Sequence, residues 1–498
     1  MAPADQPAAS RTVVSHTVVE PLEIDPETFH RRLDAIVRAH VPGCTGLVSY
    51  ERLSGGASQE TYRITVVTEH GERPVAMRRA PGGVPGDHPT APGLAVEAEL
   101  MTVAGAHGVP EPEVYRVLDD ADGLGKGFVM EWLDGVTLGA RINRAPELDA
   151  IRPRLAYQCG EILARIHAID LDASGLRSRL HTLPTDEFIE LMWERYRGYE
   201  TPQPMIDFAA RWLVEHQPAD VEPTLVHNDF RNGNIMVGPE GVVAVLDWEV
   251  AHIGDPMRDL GWICTNSWRF GGDGPVGGFG SYEDLFAGYE SVSGRPVDAE
   301  RVRFWEVFGS FWWAVGCLGM AEHYRNGPDR TVERPGIGRR SSECQVDCVN
   351  LIIPGPVHLI EPSGPVNPHE MPRVDELLVS VRDFLHGDVM AATEGRTNFL
   401  ARVAGNSLDI VLRDLHIGPE LRAREAARLR QLLGDEGDVR DDLDTLRWRL
   451  VHELRDGTMA LDRAGLVEYL REAVVNQVAI DQPRYAGYRT AVANSGEG

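Results

Sequence analysis

The segment "LVHNDFRNGNIMVGPEGVVAVLDWEVAHIGDPMRDLGW", residues 225–262, sets Asp229, Asn234 and Asp247 among residues of strand character. Two carboxylates and an amide are costly to take out of water unless a cation or a proton-transfer task employs them. Asp229 and Asn234 are five residues apart, and Gly233 disfavours a continuous helix, so both belong to a shaped loop. "IMV" and "VVAVLDW" then read as a β-hairpin turned by "GPEG", which carries Asp247 back beside that loop. Asn234 and Asp247 can then share a hard cation such as Mg²⁺, while Asp229 stays free to accept a proton. Phosphoryl transfer divides its labour in this way. Two other readings stand beside it: a buried polar network without catalysis, and a zinc site from His227, Asp229 and His252. The zinc reading leaves Asn234 without a role.

The elements that must position these residues come in two styles. Up to about residue 133 the chain is strand-rich. "PETFHRRLDAIVRAHV" has helical spacing, with Phe29, Leu33, Ile36 and Val37 on one face. "LVSYERLSGG" and "ETYRITVVTE" read as strands joined by a Gly/Ser turn, followed by the strand "RPVAMRRAP". A helix from about Ala95 to Ala106 precedes the strand "GKGFVMEWLDG". Beyond Gly135 helical patterns dominate, and in "RVRFWEVFGSFWWAVGCLGMAEHY" the residues Phe304, Phe308, Phe311 and Trp312 form a core-facing stripe. The Pro/Gly-rich residues 354–372 read as an inter-domain linker. Residues 373–485 carry amphipathic helices, the first with Val374, Leu377, Leu378, Val381 and Phe384 on one face. Further helices are expected around 399–415, 426–433, 443–454 and 466–480. Residues 1–22 and 486–498 read as disordered tails.

A length of 498 residues exceeds one ordinary core and implies two or three domains. The formal charge, 49 − 76 = −27, speaks against a nucleic-acid partner. The six cysteines are scattered, as expected of free thiols in a reducing cytosol. The N-terminus has no apolar run of a secretion signal, and "GSFWWAVGCLGMA" is too short and Gly-interrupted to span a bilayer. A cytoplasmic protein is the expectation. Lys126 is the only lysine in the chain.

"HNDFRNGN" resembles the catalytic loop H-x-D-x-x-x-x-N of the kinase-like fold, and "LDW" resembles its D-F-G metal site. The continuation "VAHIGDPMRDLGW" is similar to the aminoglycoside phosphotransferase family of small-molecule kinases. "VAMRRAPGG" and "LDWEVAHIGDP" most resemble the branch fused in some proteins to acyl-CoA dehydrogenases. The resemblance spans about residues 25–350. It implies an α+β, bilobal protein-kinase-like fold: a strand-rich N-lobe (23–133) and a mainly helical C-lobe (134–353), followed by an all-α C-terminal domain.

Its implied chemistry is ATP- and Mg²⁺-dependent transfer to a hydroxyl of a small substrate. Asp229 would be the base, Asn234 and Asp247 the metal ligands, and His227 the packing residue that fixes the loop. Asp255 would brace the loop from the "GDP" turn. Gly55, Gly56 and Ser58 stand at the phosphate-covering loop. Arg78 stands where such kinases usually carry lysine, with Glu97 its expected partner and Glu99 second. Lys126 lies on another strand and points to solvent. Glu131 and Leu133 lie in the lobe connector whose backbone would meet adenine. Asn228 replaces a frequent glycine. Substrate candidates are Arg258, Trp268, Arg269, Trp312, Arg339 and Arg340. The dehydrogenase-fused relatives point to a hydroxyacyl-CoA acceptor, while the acidic charge favours an aminoglycoside-like cation. Arg78 also motivates a rival reading, an inactive kinase-like binding protein or scaffold. The tail resembles a helical domain that accompanies such phosphotransferases, and reads as an interaction or regulatory module for a second copy or another protein.

Overall fold

The computed structural model describes residues 22, 24–53, 59–81, 92–365, 367–434 and 441–495. They divide into two compact units, and the division is not a single cut: the first takes Met1–Asp134 together with the short segments Asp172–His181 and Leu246–Ala251. The glycine pair and serine expected at a phosphate loop, Gly55, Gly56 and Ser58, lie outside the described residues, as does all of the expected tail 1–22 except Leu22.

The first unit is built on an antiparallel sheet of β1 (Cys44–Arg52), β2 (Glu60–Thr68), β3 (Gly71–Arg79), β4 (Val114–Val117) and β5 (Gly127–Glu131), in the order β1-β2-β3-β5-β4. Alternation in β2 sends Tyr62, Ile64 and Val66 to one buried face. There they meet Val75, Met77 and Val129 from neighbouring strands, and Phe29, Leu33, Ile36 and Val37 of the helix Pro26–His40. That helix starts where it should, with Asp25 capping the Thr28 N–H at 2.9 Å and proline at its first position.

The second unit is mainly helical, with two short strand pairings among its described residues. In these, β6 (Thr224–Val226) pairs with β9 (His252–Gly254), and β7 (Ile235–Gly238) with β8 (Gly241–Val245). The helices Leu155–His167 and Tyr282–Ser293 touch backbone to backbone. A Cβ added at Gly160 would lie 2.1 Å from the Leu285 carbonyl oxygen, so only glycine allows this approach. The aromatic stripe expected as core is core at Phe304, Phe308 and Phe311, all buried in the helix Ala299–Asn326, whereas Trp312 is half-buried.

The C-terminal helices belong to this same compact unit. The segment expected as a linker lacks helix or strand beyond Ile353, yet it is stitched down. Arg471 donates to the carbonyls of Ile353 (3.0 Å) and Pro356 (3.1 Å), and the Ile360 N–H donates to Asn476 at 2.9 Å. Asp207, fully buried, takes Arg455 at 2.7 Å. Two of the expected helices are one, Gly395–Leu433, which runs through Pro419. Burial of Ile417 and Leu421 against Ile360 and Ile480 outweighs the local cost of the proline. The expected tail at 486–498 is helical over Ala486–Ala493, with Ala491 buried. Among the described residues no helix is long and apolar enough to cross a membrane.

Candidate active site

Arg78 and Glu97, the residues expected at the nucleotide phosphates, fall in the first unit. Arg78, on β3, points its guanidinium at three acceptors: Glu97 (2.5 Å), Asp247 (2.9 Å) and the side-chain oxygen of Gln59 (2.9 Å). Glu97 sits on the helix Leu94–Ala106 and is 1% exposed. Burial raises its carboxyl to about 7, against the opposing pull of Arg78. Burial also pulls on Arg78, but Glu97 and Asp247 outweigh it and leave its pKa raised. Glu99 is engaged elsewhere, with Arg179 at 3.0 Å. Lys126 is exposed and pairs with Asp120 at 2.7 Å. Asp247 adopts φ 72°, a left-handed conformation that aspartate tolerates better than most residues. Its neighbour Trp248 is fully buried and anchors this turn by donating to Glu111 at 3.1 Å. In the connector, the Glu131 N–H donates to Glu113 O at 2.8 Å, and Leu133 makes no hydrogen bond with the described residues.

The base candidate falls in the second unit, on the loop between β6 and β7. One Asp229 oxygen accepts from Arg231 Nε (2.9 Å) and Trp262 Nε1 (2.8 Å); the other accepts from Asn234 Nδ2 at 2.5 Å. Because Asn234 donates through nitrogen, its amide oxygen is left to act as a ligand. His227 is fully buried and its Nδ1 receives the Asp229 N–H at 3.2 Å. Asn232 ties the loop to the Gly277 carbonyl at 2.7 Å. Asn228, at the position where the resemblance implied glycine, has φ 65°, a left-handed conformation that glycine adopts without strain and asparagine tolerates.

Three residues that position this loop escaped the sequence reading. The brace expected of Asp255 falls to Asp259, which accepts the N–H groups of His227 (2.8 Å) and Asn228 (2.7 Å). Burial works against charge on Asp259, but hydrogen bonds, chiefly from His167, keep its pKa below the usual range. Asp255 points the other way and holds the aromatic helix, accepting from Arg301 (2.6 Å) and Trp305 (2.8 Å). The signal was present in "GDPMRD", where either aspartate could have been the brace. Trp262 and Arg231 carried no motif that would have singled them out.

The substrate candidates separate by exposure. Arg258 is fully buried, its guanidinium lying over Trp262 (4.5 Å), Trp312 (4.8 Å) and Phe308 (5.2 Å), with Nε donating to Asn228 at 3.0 Å. Closed off this way, it supports the loop and cannot touch a ligand. Trp268 is likewise buried and stacks under the Arg231 guanidinium at 4.2 Å. Arg269 is spent on Glu306 (3.1 Å) and the Cys264 carbonyl (2.9 Å). Arg339 pairs with Asp481 (3.0 Å) and Arg340 with Glu343 (3.1 Å).

Similarity to known proteins agrees with this geometry. Residues 49–301, just over half of the chain, match the profile described as "Phosphotransferase enzyme family". The chain belongs to that family. A second profile, "Domain of unknown function (DUF6285)", matches residues 391–485. Mouse acyl-CoA dehydrogenase family member 10 is 29% identical over 254 residues, 49% of this chain and 22% of that protein. Chicken acyl-CoA dehydrogenase family member 11 is 27% identical over 298 residues, 56% of this chain and 37% of that protein. The matched stretches therefore span well under half the length of these curated relatives. Among solved structures, a candidate aminoglycoside phosphotransferase from Ralstonia eutropha superposes with TM-score 0.53 at 26% identity, covering 64% of this chain and 97% of its own. The fold class is thus the kinase-like one of these phosphotransferases.

Proposed function

We propose that the protein is a small-molecule kinase that moves the γ-phosphoryl group of ATP to the hydroxyl of a small acceptor, with Asp229 as base. The observation that carries this reading is the set of donors on Asp229. Three N–H groups hold its carboxylate in one orientation, while Asn234 keeps an amide oxygen for a cation.

Asp229 accepts the acceptor's hydroxyl proton as that oxygen bonds to the γ-phosphorus. The bond from phosphorus to the β–γ bridging oxygen breaks, and ADP leaves with its electron pair. Asn234, immediately before Ile235, and Asp247, two residues after Val245, are the ligands that would hold Mg²⁺. A carboxylate plus an amide oxygen suit this hard cation, which takes few protein ligands and shares the rest of its shell with phosphate and water. When bound it supplies neutralisation of charge on the β- and γ-phosphates. Arg78 grips phosphate with its fork, Glu97 keeps that fork in place, and the connector at Glu131 and Leu133 meets the adenine.

For the acceptor we rank a hydroxylated acyl-CoA first, because the similar mouse and chicken proteins are named for acyl-CoA chemistry. An aminoglycoside-like cation is the second reading, favoured by the charge of −27. ADP release should be followed with Mg²⁺, ATP and a panel of both classes. The expected result is turnover on hydroxyacyl-CoAs that falls about 10²–10⁴-fold in a folded Asp229→Asn variant. Near-normal turnover by that variant would remove the base assignment.

A further inference from the structure

The second unit contains a cavity of about 770 Å³ whose wall carries six arginines: Arg144, Arg269, Arg340, Arg413, Arg484 and Arg489. Three carboxylates share that wall, Glu343, Asp409 and Asp481, so its formal charge is 6 − 3 = +3 in a chain of −27. The carboxylates are already taken. Glu343 holds Arg340, Asp481 holds Arg339, and Asp409 holds Arg382 at 3.2 Å. By contrast Arg144, Arg413, Arg484 and Arg489 form no ion pair with any described residue. Arg413 spends its donors on the carbonyls of Ile480 and Asp481, and Arg489 donates to the Arg484 carbonyl at 2.9 Å. Burial, together with the like charge of Arg484, outweighs nearby carboxylates and lowers the pKa of Arg413. Concentrating unpaired guanidinium groups in one hollow is unfavourable unless an anion enters it.

Two parts of the chain build this wall. Arg144 and Arg269 come from the region matching the phosphotransferase family, Arg413 and Arg484 from the C-terminal helical domain. A buried clamp holds them together. Asp347 accepts from Asn266 at 2.7 Å and from the Tyr485 hydroxyl at 2.5 Å. The turn Asn266–Trp268 also reaches the catalytic loop: Ser267 lines the cavity, while Trp268 stacks on Arg231, which is bonded to Asp229.

We propose that this cavity binds the phosphate-rich end of the acceptor, so that the C-terminal domain supplies part of the acceptor site. The inference rests on the kinase reading for the word acceptor, and on the cavity alone for the anion. The match of chemistry is direct. Guanidinium groups bind phosphate oxygens through paired N–H donors, and several of them around one hollow favour a ligand with two or more phosphates.

Inorganic pyrophosphate is the probe. It is titrated calorimetrically into the full chain at fixed Mg²⁺, with the nucleotide site saturated by a non-hydrolysable ATP analogue. One pyrophosphate should still bind per chain, more weakly as salt is raised. The affinity should drop at least tenfold in Arg484→Glu/Arg489→Glu, and again in Arg144→Glu, which approaches from the other part of the chain. All three side chains are exposed, so folding should survive, and circular dichroism checks that. Loss of pyrophosphate binding once the analogue is present, or full affinity in both variants, overturns the proposal. A chain that binds pyrophosphate in an arginine-dependent way but never binds the analogue overturns the kinase reading, and with it the acceptor assignment, while leaving the anion site.

Discussion

Arg78 and Arg258 are both enclosed arginines, and they sit in opposite surroundings. Arg78 faces carboxylates, Glu97 and Asp247, and its pKa is raised. Arg258 faces indole and phenyl rings, with no carboxylate in ion-pair range among the described residues, and burial lowers its pKa to about 9. Both remain cations at neutral pH, so charge alone does not separate them. Access does. Arg78 is 15% exposed and its partners are groups that a nucleotide phosphate can replace; Arg258 is 0% exposed and its partners are rings that only packing can supply. A cation held by exchangeable partners stays open to a ligand, and one walled in by rings serves the scaffold.

The largest effect that can break this comparison is on stability. Arg258→Ala should cost about 3–5 kcal/mol in urea unfolding, because it leaves a void among large rings and strips Asn228 of its partner. Whatever folds should keep its KM for ATP. Arg258→Met should recover more than half of the loss, since an apolar chain of similar length suits the cage. A cost for Arg258→Ala below about 1 kcal/mol would show that the cage is not structural.

A somewhat smaller effect should appear in the pH dependence of stability. The Glu97 carboxyl sits at about 7 in the fold, above its ordinary 4.5, so between these values the folded chain binds more protons than the unfolded one. Stability should therefore fall as pH rises from about 4.5 to about 7 and then level, by at most about 3 kcal/mol from this group. Asp347, also raised to about 7 by burial, adds a fall of the same sign. Glu97→Gln should thus make the slope measured by denaturation across this range shallower.

The smallest effect concerns the nucleotide. Arg78→Ala should weaken ATP binding about ten- to a hundredfold, about 1.4–2.7 kcal/mol, while changing unfolding less than Arg258→Ala does. Arg78→Lys should restore part of the affinity, keeping the charge but not the fork. A double-mutant cycle with Glu97→Gln should be non-additive by about 0.5–3 kcal/mol, because the two side chains share one network. ATP affinity that survives Arg78→Ala would place the phosphate clamp elsewhere.

Legibility followed the range of the signal. Helix Pro26–His40 and the alternating strand β2 were readable because side-chain period is local. The hairpin β7–β8 was readable for the same reason, from "GPEG" between apolar runs. The single helix through Pro419 was not, because its stability comes from Ile417 and Leu421 meeting residues 57 or more positions away in sequence at one point of contact, Ile360. The choice between Asp255 and Asp259 was hidden similarly. Four residues apart and both buried, they are told apart only by what lies opposite: Arg301 and Trp305 for the first, the N–H groups of His227 and Asn228 for the second.

By itself, then, the sequence determined the chemistry on offer: an aspartate and an asparagine five apart on a loop, a second aspartate at the end of a hairpin, and an arginine with a glutamate one helix later. Those are fixed by spacing and by local backbone preference, which the chain carries in its own order. Only the tertiary structure decided which charges are open and which are closed. It turned Arg258 from a ligand contact into a caged support, set Trp262 and Arg231 on Asp229, and drew arginines from residues 144 to 489 around one cavity. The physical reason is that burial and partnership belong to pairs of surfaces, and the second surface of each pair lies far away along the chain.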